Sequence, residues 1–229
     1  MKSAYAHTAV LLFTRTSAEE AQAKHFCRSR SKSEAIADQL IRRSTELVQQ
    51  AGLPLLLIDS SKQQGSTFGE RLQHAFGLAF AQGYEKVICL GNDTPGLTPA
   101  TLRAAAEALH GQDFVFGQAT DGGVYLMGMH RHTLPQLDFS AISWNTALVF
   151  EELCLQTAAA ATAILAPILA DADSAEDILI LSAQRSLGKF AAWLRELLFS
   201  CRLHITDYTF CQLQAIPAAT ALRGPPVSC

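Results

Sequence analysis

The stretch Val87-Ile88-Cys89-Leu90-Gly91-Asn92-Asp93-Thr94-Pro95-Gly96 decides the reading of the fold. Its short, uninterrupted apolar start suits a strand buried on both faces. Asp93 stands just past that run, and Pro95 and Gly96 then impose a turn. Further along, a second run, Phe114-Val115-Phe116, leads to another acidic turn, Asp121-Gly122-Gly123. Carboxylates at the carboxyl ends of adjacent buried strands mark where an open α/β sheet builds its ligand site. The two turns therefore predict such a site.

Strand-like and helix-like segments alternate on both sides of this stretch. Residues 8–13 form an apolar first strand that closes in Thr14-Arg15-Thr16. Residues 17–50 are helix-rich, with Ile36, Leu40, Ile41, Leu47 and Val48 at helical spacing. Gly52 stops that helix, and 53–58 is a second strand. After a polar loop over 60–67, a helix over 68–81 places Leu72, Phe76 and Phe80 on one face. Thr98 and Pro99 are the N-cap and first residue of a helix over 98–109. Strands over 114–116 and 124–127 are joined through Asp121-Gly122-Gly123. A helix over 144–156, a last strand over 164–169 and a helix over 175–183 capped by Ser174 follow. This alternation predicts a largely parallel sheet with helices on both faces. After Ser186, Phe190, Trp193, Leu194, Leu197 and Leu198 make a strongly apolar helix, and the tail from Thr206 is irregular. Residues 186–229 are expected to form an appendage that covers part of the core or makes a homodimer contact.

The chain has 229 residues, of which 49% are hydrophobic, with a net charge of −3. Such a balance exerts no general pull on nucleic acid or on an anionic membrane. The six cysteines, Cys27, Cys89, Cys154, Cys201, Cys211 and Cys229, show no CxxC pair. Free thiols in a reducing cytosol are expected. The apolar run 9–13 is shorter than a signal-peptide core, and 158–170 is too short to span a bilayer. The expectation is a cytoplasmic protein without a membrane span.

The candidate chemistry lies in a few constellations. Asp171 and Asp173, in Asp171-Ala172-Asp173-Ser174, follow an apolar segment as Asp93 does. Alternate residues of an extended chain point to one side, so both carboxylates can face one cation. With Asp93 they make three, more than a Mg2+ site usually draws from protein, so one or two would sit in the outer sphere. Equally, Asp171 and Asp173 can flank and cap the next helix. Asp121-Gly122-Gly123 reads either as a hairpin turn or as glycines that admit a bulky ligand. Neither a P-loop nor a GxGxxG fingerprint is present. Arg15 follows the first strand, and Lys24, His25, Arg28, Arg30 and Lys32 form a basic run behind it. That run is either a solvated helix face or a segment that folds over a nucleotide phosphate. His204, Asp207 and Cys211 do not have zinc-site spacing.

Five segments in order carry a resemblance: Gln64-Gly65-Ser66-Thr67-Phe68-Gly69-Glu70-Arg71-Leu72, Gly91-Asn92-Asp93-Thr94-Pro95-Gly96-Leu97, Asp121-Gly122-Gly123-Val124-Tyr125-Leu126-Met127-Gly128, Ser143-Trp144-Asn145-Thr146, and Asp171-Ala172-Asp173-Ser174-Ala175-Glu176-Asp177. Together they resemble the DUF2064 family, a bacterial group similar to the nucleotide-diphospho-sugar transferase superfamily. The resemblance implies an α/β fold: a Rossmann-like GT-A three-layer sandwich with a mostly parallel central sheet. That domain would span 1–185, with a C-terminal helical appendage over 186–229. Two positions depart from the family. Of its Lys-Thr-Arg-Leu-like segment Thr14-Arg15-Thr16 is kept, but in the following Ala23-Lys24-His25-Phe26 only Lys24 is in about the right place, and its Asp before Leu-Gly-Glu-Arg is Thr67 here.

The resemblance implies a metal-dependent glycosyltransferase that uses a nucleotide-diphospho-sugar donor and a small-molecule acceptor. Mg2+ or Mn2+ would be held by Asp93, Asp171 and Asp173. Arg15 and Lys24 would bind the nucleotide, and Gly122, Gly123, Asn145 and Thr146 the substrate. Asp121 would be the catalytic carboxylate on the acceptor side. Two alternatives stay open: a nucleotidyltransferase that acts on an NTP and a phosphorylated acceptor, and a non-catalytic binding or interaction module.

Overall fold

The computed structural model of the chain describes residue 5 and residues 7–198. Its centre is a six-stranded sheet of order β2-β1-β3-β5-β4-β6. The strands are β1 (Thr8–Phe13), β2 (Leu55–Ile58), β3 (Lys86–Leu90), β4 (Phe114–Ala119), β5 (Val124–His130) and β6 (Thr162–Leu169). β1 pairs in parallel with β2 and β3, and β4 with β6. β5 runs antiparallel to both β3 and β4. The two acidic turns therefore do not follow adjacent strands. β5, returning from Asp121-Gly122-Gly123, inserts between β3 and β4 and carries the second turn to the same edge of the sheet.

The central strands are apolar without a break because helices cover both faces. All six residues of β1 are buried. Successive side chains of a strand point to opposite faces. Leu11 and Phe13 pack with Leu72, Phe76 and Phe80 of α3 (Phe68–Ala81). Val10 and Leu12 pack on the other side with Leu47 and Val48 of α2 (Arg30–Ala51) and Leu102 of α4 (Pro99–Ala108). The outer side of α2 forms a third cluster. There Ile36 and Leu40 meet Ile178 of α6 (Ala175–Ala183), and Phe190 and Leu194 of a last helix, α7, over 188–198. The helical part of the expected appendage thus covers α2 and α6. The tail expected to be irregular, with His204, Asp207 and Cys211, lies outside the described residues.

Helix starts follow local chemistry. Thr16 and Glu19 form a capping box on α1 (Ser17–Lys24), Thr67 and Glu70 on α3, and Ser174 and Asp177 on α6. Each box gives two orphan backbone N–H groups a side-chain acceptor. At Thr67 the hydroxyl accepts the bond that an Asp at that position would accept. Thr98 caps α4 with Pro99 at its first position, as the sequence predicts. The expected helix over 144–156 is shorter: α5 is Val149–Gln156. Before it, Asn145 takes a left-handed conformation, φ 62°. The Ser143 N–H and hydroxyl both donate to the Glu152 carboxylate, at 2.6 and 2.8 Å, and fold the segment back as a turn. Among the described residues no helix is long and apolar enough to cross a membrane.

Candidate functional site

The chain leaves β1 to build β2 on one side, then crosses back under α3 to build β3 on the other. Such a reversal opens a crevice at the carboxyl ends of the two central strands. Here it is a cleft of about 420 Å³. Arg15 and Lys24 enter it from the segment after β1, and Asn92 and Asp93 from the turn after β3. Asp121 and Gly123 come from the β4–β5 turn, Trp144, Asn145 and Thr146 from the loop before α5, and Asp171 and Asp173 from the segment after β6. All the residues expected at the site except Gly122 line this one cleft.

Backbone bonds lock these segments together. The Ala172 N–H donates to the Asp93 carbonyl at 2.7 Å, which sets Asp171-Ala172-Asp173 against the β3 turn. Arg43 of α2 donates through Nε and Nη2 to the Pro95 carbonyl, at 3.1 and 2.9 Å, and pins that turn from behind. On the far wall, the Phe150 N–H donates to the Gly122 carbonyl at 3.0 Å. Gly122 has φ 89°, and a Cβ there would stand 2.2 Å from the Ala147 carbonyl oxygen. That glycine lets the loop carrying Asn145 and Thr146 close onto the acidic turn. Asp121 stays exposed beside it, its carboxylate accepting the Gly123 N–H at 2.8 Å.

A lysine organises the centre. The Lys24 Nζ lies 2.7 Å from Asp93 Oδ2, 2.7 Å from Asp173 Oδ1 and 3.1 Å from Glu20 Oε1. It also donates to the Ala172 carbonyl at 3.4 Å. Burial alone would lower its pKa, but the charges of Asp93 and Glu20 and the bonds to Asp173 and Asp93 outweigh it, so the ammonium is held above its ordinary value. Glu20, whose side chain is 3% exposed, also accepts from Arg15 Nη1 at 3.1 Å. The rest of the basic run does not line the cleft. His25, Arg28 and Arg30 are exposed. The solvated-face reading thus holds for those three and fails for Lys24.

Asp171 sits beside this cluster rather than in it. Its Oδ1 accepts from the Thr94 hydroxyl at 2.6 Å. Burial, and then the charge of Asp93, push its pKa up to about 7, although the Thr94 bond works the other way. Neither Asp171 nor Asp173 caps α6, because Ser174 and Asp177 do so.

The donor chemistry at Asp93 and Asp173 fits Mg2+ or Mn2+. Both ions prefer hard carboxylate oxygens, and Mg2+ usually takes one or two from protein and the rest from water and phosphate. Among the described residues, however, no three His, Cys, Asp or Glu side chains are grouped to hold a metal by themselves. The point on which Asp93 and Asp173 converge holds the Lys24 ammonium.

Several residues here were not singled out from the sequence. Glu20 stands four residues before Lys24, the helical spacing of an ion pair. Arg71 lines the cleft, and its side chain has no ion-pair or hydrogen-bond partner among the described residues. Phe68 and Trp144, 5.2 Å apart between ring centroids, give the cleft an aromatic wall. Asn92 is 4% exposed and accepts from the Thr14 hydroxyl at 2.8 Å, while its Nδ2 has no partner.

The sequence profile of one family, described as an uncharacterized protein conserved in bacteria (DUF2064), matches residues 12–146. The chain belongs to the DUF2064 family. The DUF2064 match takes in Lys24, Asp93, Asp121 and Thr146 and stops short of Asp171 and Asp173. Comparison with curated proteins finds no match. Among solved structures, a candidate nucleotide-diphospho-sugar transferase from Desulfovibrio desulfuricans G20 is 21% identical, at TM-score 0.74. The alignment covers 88% of this chain and 98% of that one. This likeness shows the fold, which is GT-A-like. A manganese complex of Rv0371C from Mycobacterium tuberculosis H37Rv is more distant, 13% identical at TM-score 0.47, covering 76% of this chain and 96% of that one.

Proposed function

We propose that the cleft binds a nucleotide-diphospho-sugar and transfers its sugar to a small acceptor. The convergence of Asp93, Asp173, Lys24 and Arg15 at the switch-point crevice carries this reading. A diphosphate needs cationic partners at the sheet edge, and a base or sugar needs an apolar wall such as Phe68 and Trp144 provide. The buried Asn92 amide, unpartnered on one side, is a group that a polar ligand would satisfy.

In the reaction, an acceptor hydroxyl attacks the anomeric carbon and the bond from that carbon to the diphosphate oxygen breaks. The acceptor proton passes to Asp121, whose carboxylate Gly123 holds at the acceptor wall. Lys24 and Arg15 face the departing nucleoside diphosphate and stabilise its charge. A divalent ion held by Asp93 and Asp173 would supply further Lewis-acid stabilisation there. Asn145 and Thr146, closed onto Gly122 and Gly123, border the sugar and acceptor side. Nucleotidyl transfer is the weaker reading. It sets a more highly charged triphosphate against Lys24 and Arg15, both already paired with Glu20. The three described cysteines, Cys27, Cys89 and Cys154, are free thiols, which suits a reducing cytoplasm.

A melting-temperature panel tests the proposal, with UDP-, GDP- and ADP-sugars and the four NTPs, each with Mg2+ or Mn2+. A ligand at 100 times its Kd stabilises by about 2.7 kcal/mol. In a chain of this size that is about 5–10 °C. A shift with a diphosphate-sugar that is lost in Asp93→Ala supports sugar transfer. A shift with triphosphates alone favours nucleotidyl transfer. No shift with any nucleotide overturns both and leaves a non-catalytic module.

A further inference from the structure

We infer that Lys24 is an internal competitor for the cation site: its ammonium must leave Asp93 and Asp173 before a divalent ion can bind there. The inference rests on the reading of Asp93 and Asp173 as cation ligands and goes beyond it, because it makes the metal site conditional on a side chain of the protein.

The two cations would compete for the same oxygens. Asp93 Oδ2 and Asp173 Oδ1 each lie 2.7 Å from Nζ. A Mg2+ ion held by those same oxygens would stand about 2.1 Å from each. Its charge and the ammonium would then lie within about 5 Å of each other, sharing one pair of carboxylates and repelling. The Lys24 side chain is 12% exposed, and Glu20 and the Ala172 carbonyl also hold it. It is therefore a seated occupant rather than a passing surface contact.

The device also has a way to open. Lys24 is the last residue of α1, and His25 follows it at φ 47° as a left-handed C-cap. The long lysine stem lets Nζ swing away while the helix stays in place. Electrostatics then favours joint entry of metal and diphosphate. Glu20, Asp93, Asp171 and Asp173 gather at one end of the cleft, and Lys24 and Arg15 are the cations paired within that group. A diphosphate alone meets these carboxylates with Lys24 and Arg15 already paired to them, and a metal ion alone meets an occupied seat. With both present, Asp93 and Asp173 would hold the metal ion and the freed Lys24 ammonium would face the phosphates.

The test titrates Mn2+ alone, without nucleotide, into the full-length protein and follows free Mn2+ by electron paramagnetic resonance. Lys24→Met should bind Mn2+ more tightly than wild type, by about 5- to 150-fold, the span of ordinary couplings between sites. Lys24→Arg, which keeps the charge, should bind no more tightly than wild type. Asp93→Asn should lose binding in either background. A second measurement uses wild-type protein and stands even if Lys24→Met fails to fold. Acetic anhydride labelling read by mass spectrometry should find Lys24 protected without metal and labelled more heavily as Mn2+ saturates. Equal Mn2+ affinity in Lys24→Met and wild type overturns the inference. So does Mn2+ binding that leaves Lys24 protected, and so does a failure of every form to bind Mn2+. The sugar-transfer reading fails separately, on the nucleotide melting panel.

Discussion

Asp171→Asn should stabilise the protein at pH 8 and change it little at pH 4. The side chain keeps its shape, and its oxygen can still accept from the Thr94 hydroxyl, 2.6 Å away in the wild type. What disappears is a negative charge buried beside Asp93. The Asp171 carboxyl is pushed from 3.8 up to about 7, chiefly by burial and then by Asp93, so the folded chain binds that proton more tightly than the unfolded chain. Stability from this group is fully present below pH 3.8 and falls as pH rises through the window up to about 7. The gap between 3.8 and about 7, at about 1.4 kcal/mol per unit, sets a ceiling of about 4 kcal/mol. Relaxation around the ionised group lowers the expected gain to about 2 kcal/mol, or about 4–8 °C for a chain of this size. Urea denaturation of wild type and variant at half-unit pH steps, with EDTA present, measures it. The wild-type curve should fall relative to the variant between pH 4 and 7 and run parallel above. Parallel curves throughout, or a variant less stable at pH 8, would refute a buried, charge-stressed Asp171.

Other perturbations test the frame around the cluster. Glu20→Gln removes the buried carboxylate that Arg15 and Lys24 share and should cost about 3 kcal/mol in urea denaturation. Gly122→Ala forces a Cβ to within 2.2 Å of the Ala147 carbonyl at a left-handed φ, and should cost about 1–3 kcal/mol. The same change should displace the Asn145–Thr146 loop, which hydrogen exchange at residues 145–150 would detect. Phe76→Ala empties a fully buried position between α3 and the sheet and should cost about 3–5 kcal/mol. An unchanged denaturation midpoint in any of the three contradicts the corresponding packing.

The sequence makes the elements legible where the signals are local. The run through β1, the Thr98-Pro99 start of α4 and the Ser174 cap of α6 each rest on a few neighbouring residues, and all three hold. Strand order is less legible because pairing partners are distant in the chain. Nothing in Val124 to Met127 says that β5 reverses and slides between β3 and β4. The helix expected over 144–156 fails in its first turn because Asn145 turns left-handed and Ser143 folds back onto Glu152. At the site, the alternation of Asp171 and Asp173 suggests one shared cation, yet each carboxylate has a different partner, Thr94 and Lys24. Lys24 shows the limit most clearly. The basic run alone leaves a solvated face and a phosphate-covering segment both open, and the placement of α1 at the cleft turns Lys24 inward while His25, Arg28 and Arg30 stay exposed.

The most direct test of the proposed function is a crystal structure of the protein with a nucleoside diphosphate and Mn2+. An anomalous manganese peak is expected about 2.1 Å from an Asp93 carboxylate oxygen, as for a hard divalent ion. The diphosphate should lie at the carboxyl edge between β1 and β3, within reach of Arg15 and Lys24. A nucleotide bound away from that crevice, or a manganese ion held by residues other than Asp93 and Asp173, would contradict it.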